Sequence, residues 1–130
     1  GVGDAIVKIS ADRNFFEKLI VSDYDIQRAE KSVDWVKEHS PEAADKFQTA
    51  QIDASDSDQV AALAKEVGAT HIMNAVEPKF VQSIFDGALK AGVNYMDMAM
   101  SLSHVHKTDP FNTPAEKLGD WQYEKHAEFE

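Results

Sequence analysis

Gly1-Val2-Gly3-Asp4-Ala5-Ile6-Val7-Lys8-Ile9 is the stretch whose reading decides the fold. Two glycines leading into a helical apolar period describe a tight turn that opens a helix over Asp4 to about Asp12, with Ala5, Ile6 and Ile9 on its apolar face. A helix N-terminus carries free N–H groups and the positive end of the helix dipole, so it holds anions, phosphate above all. Asp12-Arg13-Asn14 breaks the helix and Phe15-Phe16 packs the connection. The apolar run Leu19-Ile20-Val21 then reads as a short buried strand ending at Ser22-Asp23.

An acidic residue about 20 positions after a glycine turn is the partner expected for an adenosine ribose. Order and spacing therefore agree with a dinucleotide-binding fingerprint. The fingerprint is incomplete, however. Gly3 fits its last glycine, while the first two glycines and the strand before them are absent. That strand is the central one of a doubly wound sheet, and its neighbours would lose ladder partners and buried faces without it. The reading is a piece of a longer protein, with the pyrophosphate turn at Gly1, Val2 and Gly3.

Net charge is −10, from 23 acids against 13 bases, which argues against nucleic acid or an anionic membrane as partner. There is no cysteine, so disulfides, thiolate zinc sites and thiol nucleophiles are all excluded. At 130 residues and 43% hydrophobic content the chain suits one globular domain. No apolar run approaches a membrane span and no signal-peptide pattern is visible, which makes the cytoplasm the default location.

The rest of the chain alternates strand and helix. Asp25 caps a helix carrying Ile26, Ala29, Val33 and Val36, ended by Ser40-Pro41. Phe47 to Asp53 reads as a strand. Ser55-Asp56-Ser57-Asp58 offers caps for a helix with Val60, Leu63, Ala64 and Val67, and Gly68 suits its C-terminus. Thr70 to Ala75 is a further strand. Pro78 sits near the start of a helix whose face is Val81, Ile84, Phe85 and Ala88, ended by Gly92, and Val93 to Met98 is the last strand of the series. This order predicts an α/β fold: a Rossmann-type doubly wound parallel sheet with right-handed crossovers. Residues 1–100 form the dinucleotide-binding domain. Residues 101–130 form a polar loop, Ser101 to Pro114, and a helix from Trp121 to Phe129 capped by Asp120.

In such a sheet ligands bind outside the carboxyl ends of the strands. Gly1, Val2 and Gly3 would meet the pyrophosphate, Asp23 and Tyr24 the adenosine ribose, Asp53 and Ala54 the adenine, and Asn74, Ala75 and Val76 the path toward the nicotinamide. A carboxylate accepts from both ribose hydroxyls and repels a 2′-phosphate. NADP enzymes place an arginine nearby, whereas here Tyr24-Asp25 follows and Arg28 comes a helical turn later. The expected cofactor is NAD rather than NADP. Asn74 could equally be a strand-end turn former. Asp97 could face a substrate cleft or cap a turn. His104, His106 and Asp109 suggest a metal by residue type, but an H-x-H pair on a polar loop is more often solvated, so no metal is expected. His39, His71 and His126 look incidental. Trp35 reads as packing, and Trp121 and Tyr123 as anchors of the last helix. The catalytic residues stay unknown, with Asp97 and the Ser101-to-Pro110 loop the nearest candidates for lining the cleft.

With these residues in place, the chain resembles the NAD(P)-binding domain of the saccharopine dehydrogenase family. The similarity is carried by Gly1-Val2-Gly3, the strand ending at Asp23, Gln51-Ile52-Asp53-Ala54, Asn74-Ala75-Val76-Glu77-Pro78, Ala91-Gly92-Val93-Asn94-Tyr95-Met96-Asp97-Met98-Ala99 and Lys117-Leu118-Gly119-Asp120. The resemblance implies an oxidoreductase acting on a CH–NH bond, with an amino-acid or polyamine-type substrate bound in a further C-terminal domain that also forms a homodimer interface. The rival class is a nucleotide-sensing regulatory domain, which shares the glycine turn and the acid. A short-chain dehydrogenase is disfavoured because no Tyr-x-x-x-Lys pair appears.

Overall fold

The alternation of strand and helix is realised as two parallel pairs rather than one continuous ladder. The computed structural model of the chain describes residues 1–98, 102–104, 106–113 and 116–130, the side chains of 102–104 and 116–118 excepted. Helix α1 spans Val2–Ser10, strand β1 Leu19–Asp23, α2 Ile26–His39, β2 Phe47–Gln51, α3 Ser57–Glu66, β3 His71–Asn74, α4 Val81–Ala91 and β4 Asn94–Asp97. Short 3-10 turns at Pro41–Lys46 and Pro78–Phe80 lead into β2 and α4. Strands β1 and β2 pair in parallel, with Leu19 beside Phe47 and Asp23 beside Gln51. Strands β3 and β4 do likewise, with Asn74 beside Asp97.

Among the described residues no ladder joins β1 to β3, so the expected single sheet is present as two halves. In a doubly wound sheet the position between these halves belongs to the strand that precedes the glycine turn.

Each half is held by its own helices. Val7 and Ala11 of the first helical segment meet Val33 and Val36 of α2, Ala43 and Phe47, with Leu19 and Val21 of β1 packed against them. The buried side of α1 is thus Val7, Ser10 and Ala11. Ile9, expected on the apolar face, is 60% exposed, and Ala5 is exposed as well. Val2, Ala5, Ile6 and Ile9 share one stripe of α1 and Val7 lies on the other side, so the stripe that periodicity selects is not the one the core buries. The choice is made by α2, whose Ser32 hydroxyl donates to Asp4 at 2.8 Å.

The second half packs more tightly. Helices α3 and α4 approach so closely that a Cβ on Gly87 would lie 2.6 Å from the Val60 side chain and 3.0 Å from the Ser57 carbonyl. Val81, Ile84, Phe85 and Ala88 of α4 are buried as expected, and Phe85 meets Tyr95 of β4 edge to face at 5.3 Å. On the opposite face of this pair, neighbours Met73 and Met96 are half-exposed. Gly68 and Gly92 close α3 and α4 with positive φ of 64° and 71°, the left-handed conformation that glycine adopts without a Cβ penalty.

The C-terminal part differs from the expected loop and single helix. Leu102–His104 (β5) pairs antiparallel with Glu116–Lys117 (β6). Helix α5 runs Leu118–Glu124 and α6 runs His126–Phe129, so Asp120 lies inside the first turn of α5 rather than capping it. Residues 99–101, 105, 114 and 115, which include both ends of the expected loop and the last residue of the Ala91–Ala99 run, lie outside the described residues. Trp121 packs edge to face on Phe85 at 4.9 Å and so anchors α5, whereas Tyr123 is 81% exposed and anchors nothing. Trp35 packs against the first core and stacks on His39 at 4.2 Å, which gives that histidine a packing role.

Candidate functional site

The first turn of α1 exposes donors and little else. The first intrahelical bond runs from the Ala5 N–H to the Gly1 carbonyl at 3.2 Å, so the N–H groups of Val2, Gly3 and Asp4 lie before the helical ladder begins. A Cβ on Gly1 would meet nothing within 4 Å. Asp4 brings a negative charge into that turn, but its carboxylate is bound by Lys8 at 2.8 Å and by the Ser32 hydroxyl. Those two hydrogen bonds, Lys8 first, hold the Asp4 carboxyl below the usual carboxylate range. A Cβ on Gly3 would lie 3.8 Å from the Ala75 Cβ, an ordinary contact. The helix start therefore adjoins the end of β3, as the sequence order requires, yet the packing would tolerate alanine at position 3.

At the end of β1 the acidic residues are spent locally. Asp23 Oδ1 accepts from the Asp25 N–H at 3.0 Å, and Asp25 Oδ1 accepts from the Gln27 N–H at 3.1 Å as the N-cap of α2. The other Asp23 oxygen faces Arg28 Nε at 3.8 Å. Tyr24 is exposed, and its carbonyl accepts from the Gln51 side chain at 2.9 Å, tying this turn to the end of β2. The Ile52 N–H donates to the Asp23 carbonyl at 3.1 Å, which brings Asp23 and the 51–54 segment together.

Asp53 forms its own turn. Its Oδ1 accepts from the Ser55 N–H at 2.9 Å and the Ser55 hydroxyl at 2.6 Å, and the hydroxyl in particular lowers its pKa. The Ala54 carbonyl accepts from Ser83 of α4.

Asn74 is nearly fully buried, and its side chain works inside the fold. Its Oδ1 accepts from the Val76 N–H at 3.0 Å, shaping the Asn74-Ala75-Val76 turn, and its Nδ2 donates to the Tyr95 hydroxyl at 3.0 Å. Burial, ahead of the nearby Asp97 charge, pushes the Tyr95 phenol well above its ordinary pKa, so it stays protonated. Asp97 is half-buried and accepts from Gln122 of α5 at 3.2 Å. A chain of polar contacts thus runs from the β3 turn through Tyr95 and Asp97 to the C-terminal helix. Tyr95 and Gln122 were not read as site residues. The signal for Tyr95 was its two-residue offset from Asp97, which puts both on one face of β4.

In the C-terminal segment, His106 is engaged by its own neighbours. The Asp109 N–H donates to His106 Nδ1 at 3.1 Å and the Asp109 carboxylate accepts from Asn112, while the His104 side chain lies outside the described residues. Among the described residues no cluster of three or more His, Cys, Asp or Glu side chains is arranged to hold a metal, and no described helix is long and apolar enough to cross a membrane.

Parallel strand pairs joined by helices, a glycine-led helix start beside the turn after β3 and polar turns at the strand ends define a Rossmann-type nucleotide-binding domain. The family is fixed by comparison: a family model described as the saccharopine dehydrogenase NADP binding domain matches residues 1–130, and the chain belongs to that family. No curated protein matches the chain. The family is one of oxidoreductases, and this chain corresponds to its nucleotide-binding part. The description names NADP, which gives the expected preference for NAD no support. The residues present fit such a cofactor: N–H donors in the first turn of α1, and an acid and a guanidinium together at the end of β1.

Proposed function

We propose that this chain is the cofactor-binding part of an NAD(P)-dependent oxidoreductase acting on CH–NH bonds of an amino acid or polyamine precursor. The observation that carries the reading is the match of residues 1–130 to the family, joined to the donors at the start of α1 beside the β3 turn. When bound, the nicotinamide supplies hydride transfer.

This chain's residues bind and orient. The N–H groups of Val2 and Gly3 take the pyrophosphate, supported by the helix dipole. Asp23 and Arg28 meet the adenosine ribose. Asn74 fixes the Ala75-Val76 backbone along the cofactor's path, and its bond to Tyr95 keeps that turn rigid. Tyr95, Asp97 and Gln122 wall the same strand ends. No residue here is assigned a proton transfer. An amine substrate held by a further domain, dimerisation through that domain and a cytoplasmic location belong to the same reading.

Calorimetric titration with NADH and NADPH tests it first. Binding of either in the micromolar range, followed by cofactor-dependent turnover with lysine, saccharopine or a polyamine precursor, is the expected result. Binding of neither would remove the reading.

A further inference from the structure

We propose that Gln122 of α5 is a positioning residue of the cofactor site: through Asp97 and Tyr95 it holds Asn74, so that the C-terminal segment sets how the Asn74-Ala75-Val76 turn meets the cofactor. The inference rests on the reading above that this turn lies along a nicotinamide cofactor.

The donor and acceptor roles along this chain of contacts follow from its fixed end. A backbone N–H can only donate, so the Val76 N–H, 3.0 Å from the Asn74 side chain, makes Oδ1 the acceptor. The other end of the amide, Nδ2, then donates to the Tyr95 hydroxyl at 3.0 Å. With that oxygen accepting, the single phenolic proton is directed onward to the Asp97 carboxylate, which Tyr95 also hydrogen-bonds. Gln122 Nε2 completes the chain by donating to Asp97 Oδ2 at 3.2 Å. Each group thus has one role, and a change at Gln122 is not absorbed by turning an amide or a hydroxyl round. Asn74 is buried, and Tyr95, Asp97 and Gln122 are partly buried. A partner lost along such a chain is poorly replaced by water, and its loss is felt by the next bond.

Packing seats the C-terminal helices by other means. Trp121 of α5 and Phe129 of α6 both lie against Phe85 of α4, with ring centroids 4.9 Å and 5.1 Å away. The same Phe85 ring meets Tyr95. Apolar burial therefore docks α5, and the donation from Gln122 to Asp97 adds direction rather than area. Tyr95 receives the segment twice, on its ring through Phe85 and at its hydroxyl through Asp97. Linkage is reciprocal, so a cofactor that holds the 74–76 turn also strengthens the seat of α5.

The test combines calorimetry with NADH and NADPH, thermal unfolding, and amide hydrogen exchange without cofactor. The variants are Gln122→Met, which keeps the length and removes the donor, Phe129→Ala, Tyr95→Phe, and Gln122→Met with Tyr95→Phe. Gln122→Met should weaken both cofactors about threefold to tenfold and speed exchange of the Val76 amide. Phe129→Ala loosens the same segment without touching the polar chain. It should lower the melting temperature at least as much, leave both dissociation constants within about twofold and leave Val76 exchange unchanged. Tyr95→Phe already cuts the chain, so adding Gln122→Met to it should weaken binding no further. Unchanged binding in Gln122→Met, equal weakening in Phe129→Ala, or additive effects in the double variant overturns the positioning role alone. A parent protein that binds neither cofactor overturns the reading above, and the proposal with it.

Discussion

The Asn74 side chain bridges two elements at once: Nδ2 donates to the Tyr95 hydroxyl at 3.0 Å across the β3–β4 pair, while Oδ1 accepts from the Val76 N–H at 3.0 Å. An amide that is 4% exposed has no water to fall back on, so the turn after β3 and the ring on β4 are locked together. Asn74→Ala leaves the Val76 N–H and the Tyr95 hydroxyl each short of a partner. We expect a loss of about 2–3 kcal/mol in urea unfolding, against about 1–2 kcal/mol for Tyr95→Phe, which breaks fewer bonds. Equal losses would mean that the Val76 bond contributes nothing.

Gly87→Ala should destabilise the chain although alanine is the better helix former. The gain in propensity is about 1 kcal/mol, and the added Cβ would stand 2.6 Å from Val60. Overpacking of this kind costs about 1–3 kcal/mol, and the Ser57 carbonyl at 3.0 Å is backbone that cannot step aside. Gly87→Ala with Val60→Ala should lose less than the sum of the two single changes, read by thermal unfolding. Gly3→Ala, with only an ordinary contact to Ala75, should leave stability unchanged or slightly raised.

The two helix caps allow stability to be separated from ligand binding. Asp25→Ala and Asp56→Ala each remove a side-chain acceptor from the first turn of a helix and should cost about 1 kcal/mol apiece. Asp25→Ala should leave the ratio of NADPH to NADH affinity unchanged, because that carboxylate faces Gln27. A shift of that ratio toward NADPH would show that Asp25 also meets the cofactor.

Stability should rise with pH across the acid range through Asp4. Lys8 and Ser32 hold its carboxyl below the ordinary value of 3.8, so the unfolded chain takes up the proton first as pH falls. The contribution is complete above that value and is lost as pH drops through the folded-state pKa. With the side chain 38% exposed, solvent screens the effect and the change in melting temperature should be small. Asp4→Asn should flatten the pH 2–5 limb of the melting curve relative to the parent, and an unchanged limb would assign the acid sensitivity elsewhere, Asp53 and Asp56 being the next candidates.

The sequence by itself determined the order of the main helices and strands as far as β4, but not the paired strands and two short helices that follow. Caps and breakers act within a few residues, so Asp25, Gly68, Gly92 and Ser40-Pro41 marked helix ends that the structure keeps, and of the candidate caps Ser55 to Asp58 the structure uses Asp56. The apolar period of α4 was legible because its stripe is narrow, and the glycine turn with its distant acid pointed to the family. Only tertiary structure decided which side of α1 is buried, since Ile9 and Val7 are equally apolar and α2 makes the choice. It also decided how the charges pair. Asp23, Tyr24, Asp25 and Arg28 read in line suggest a site hostile to phosphate, but the helix turn carries Arg28 back beside Asp23 while Asp25 turns away to cap. The link from Asn74 through Tyr95 and Asp97 to Gln122 joins residues up to 48 positions apart. Contacts of that span depend on how strands and helices are placed in space, which local pattern does not encode.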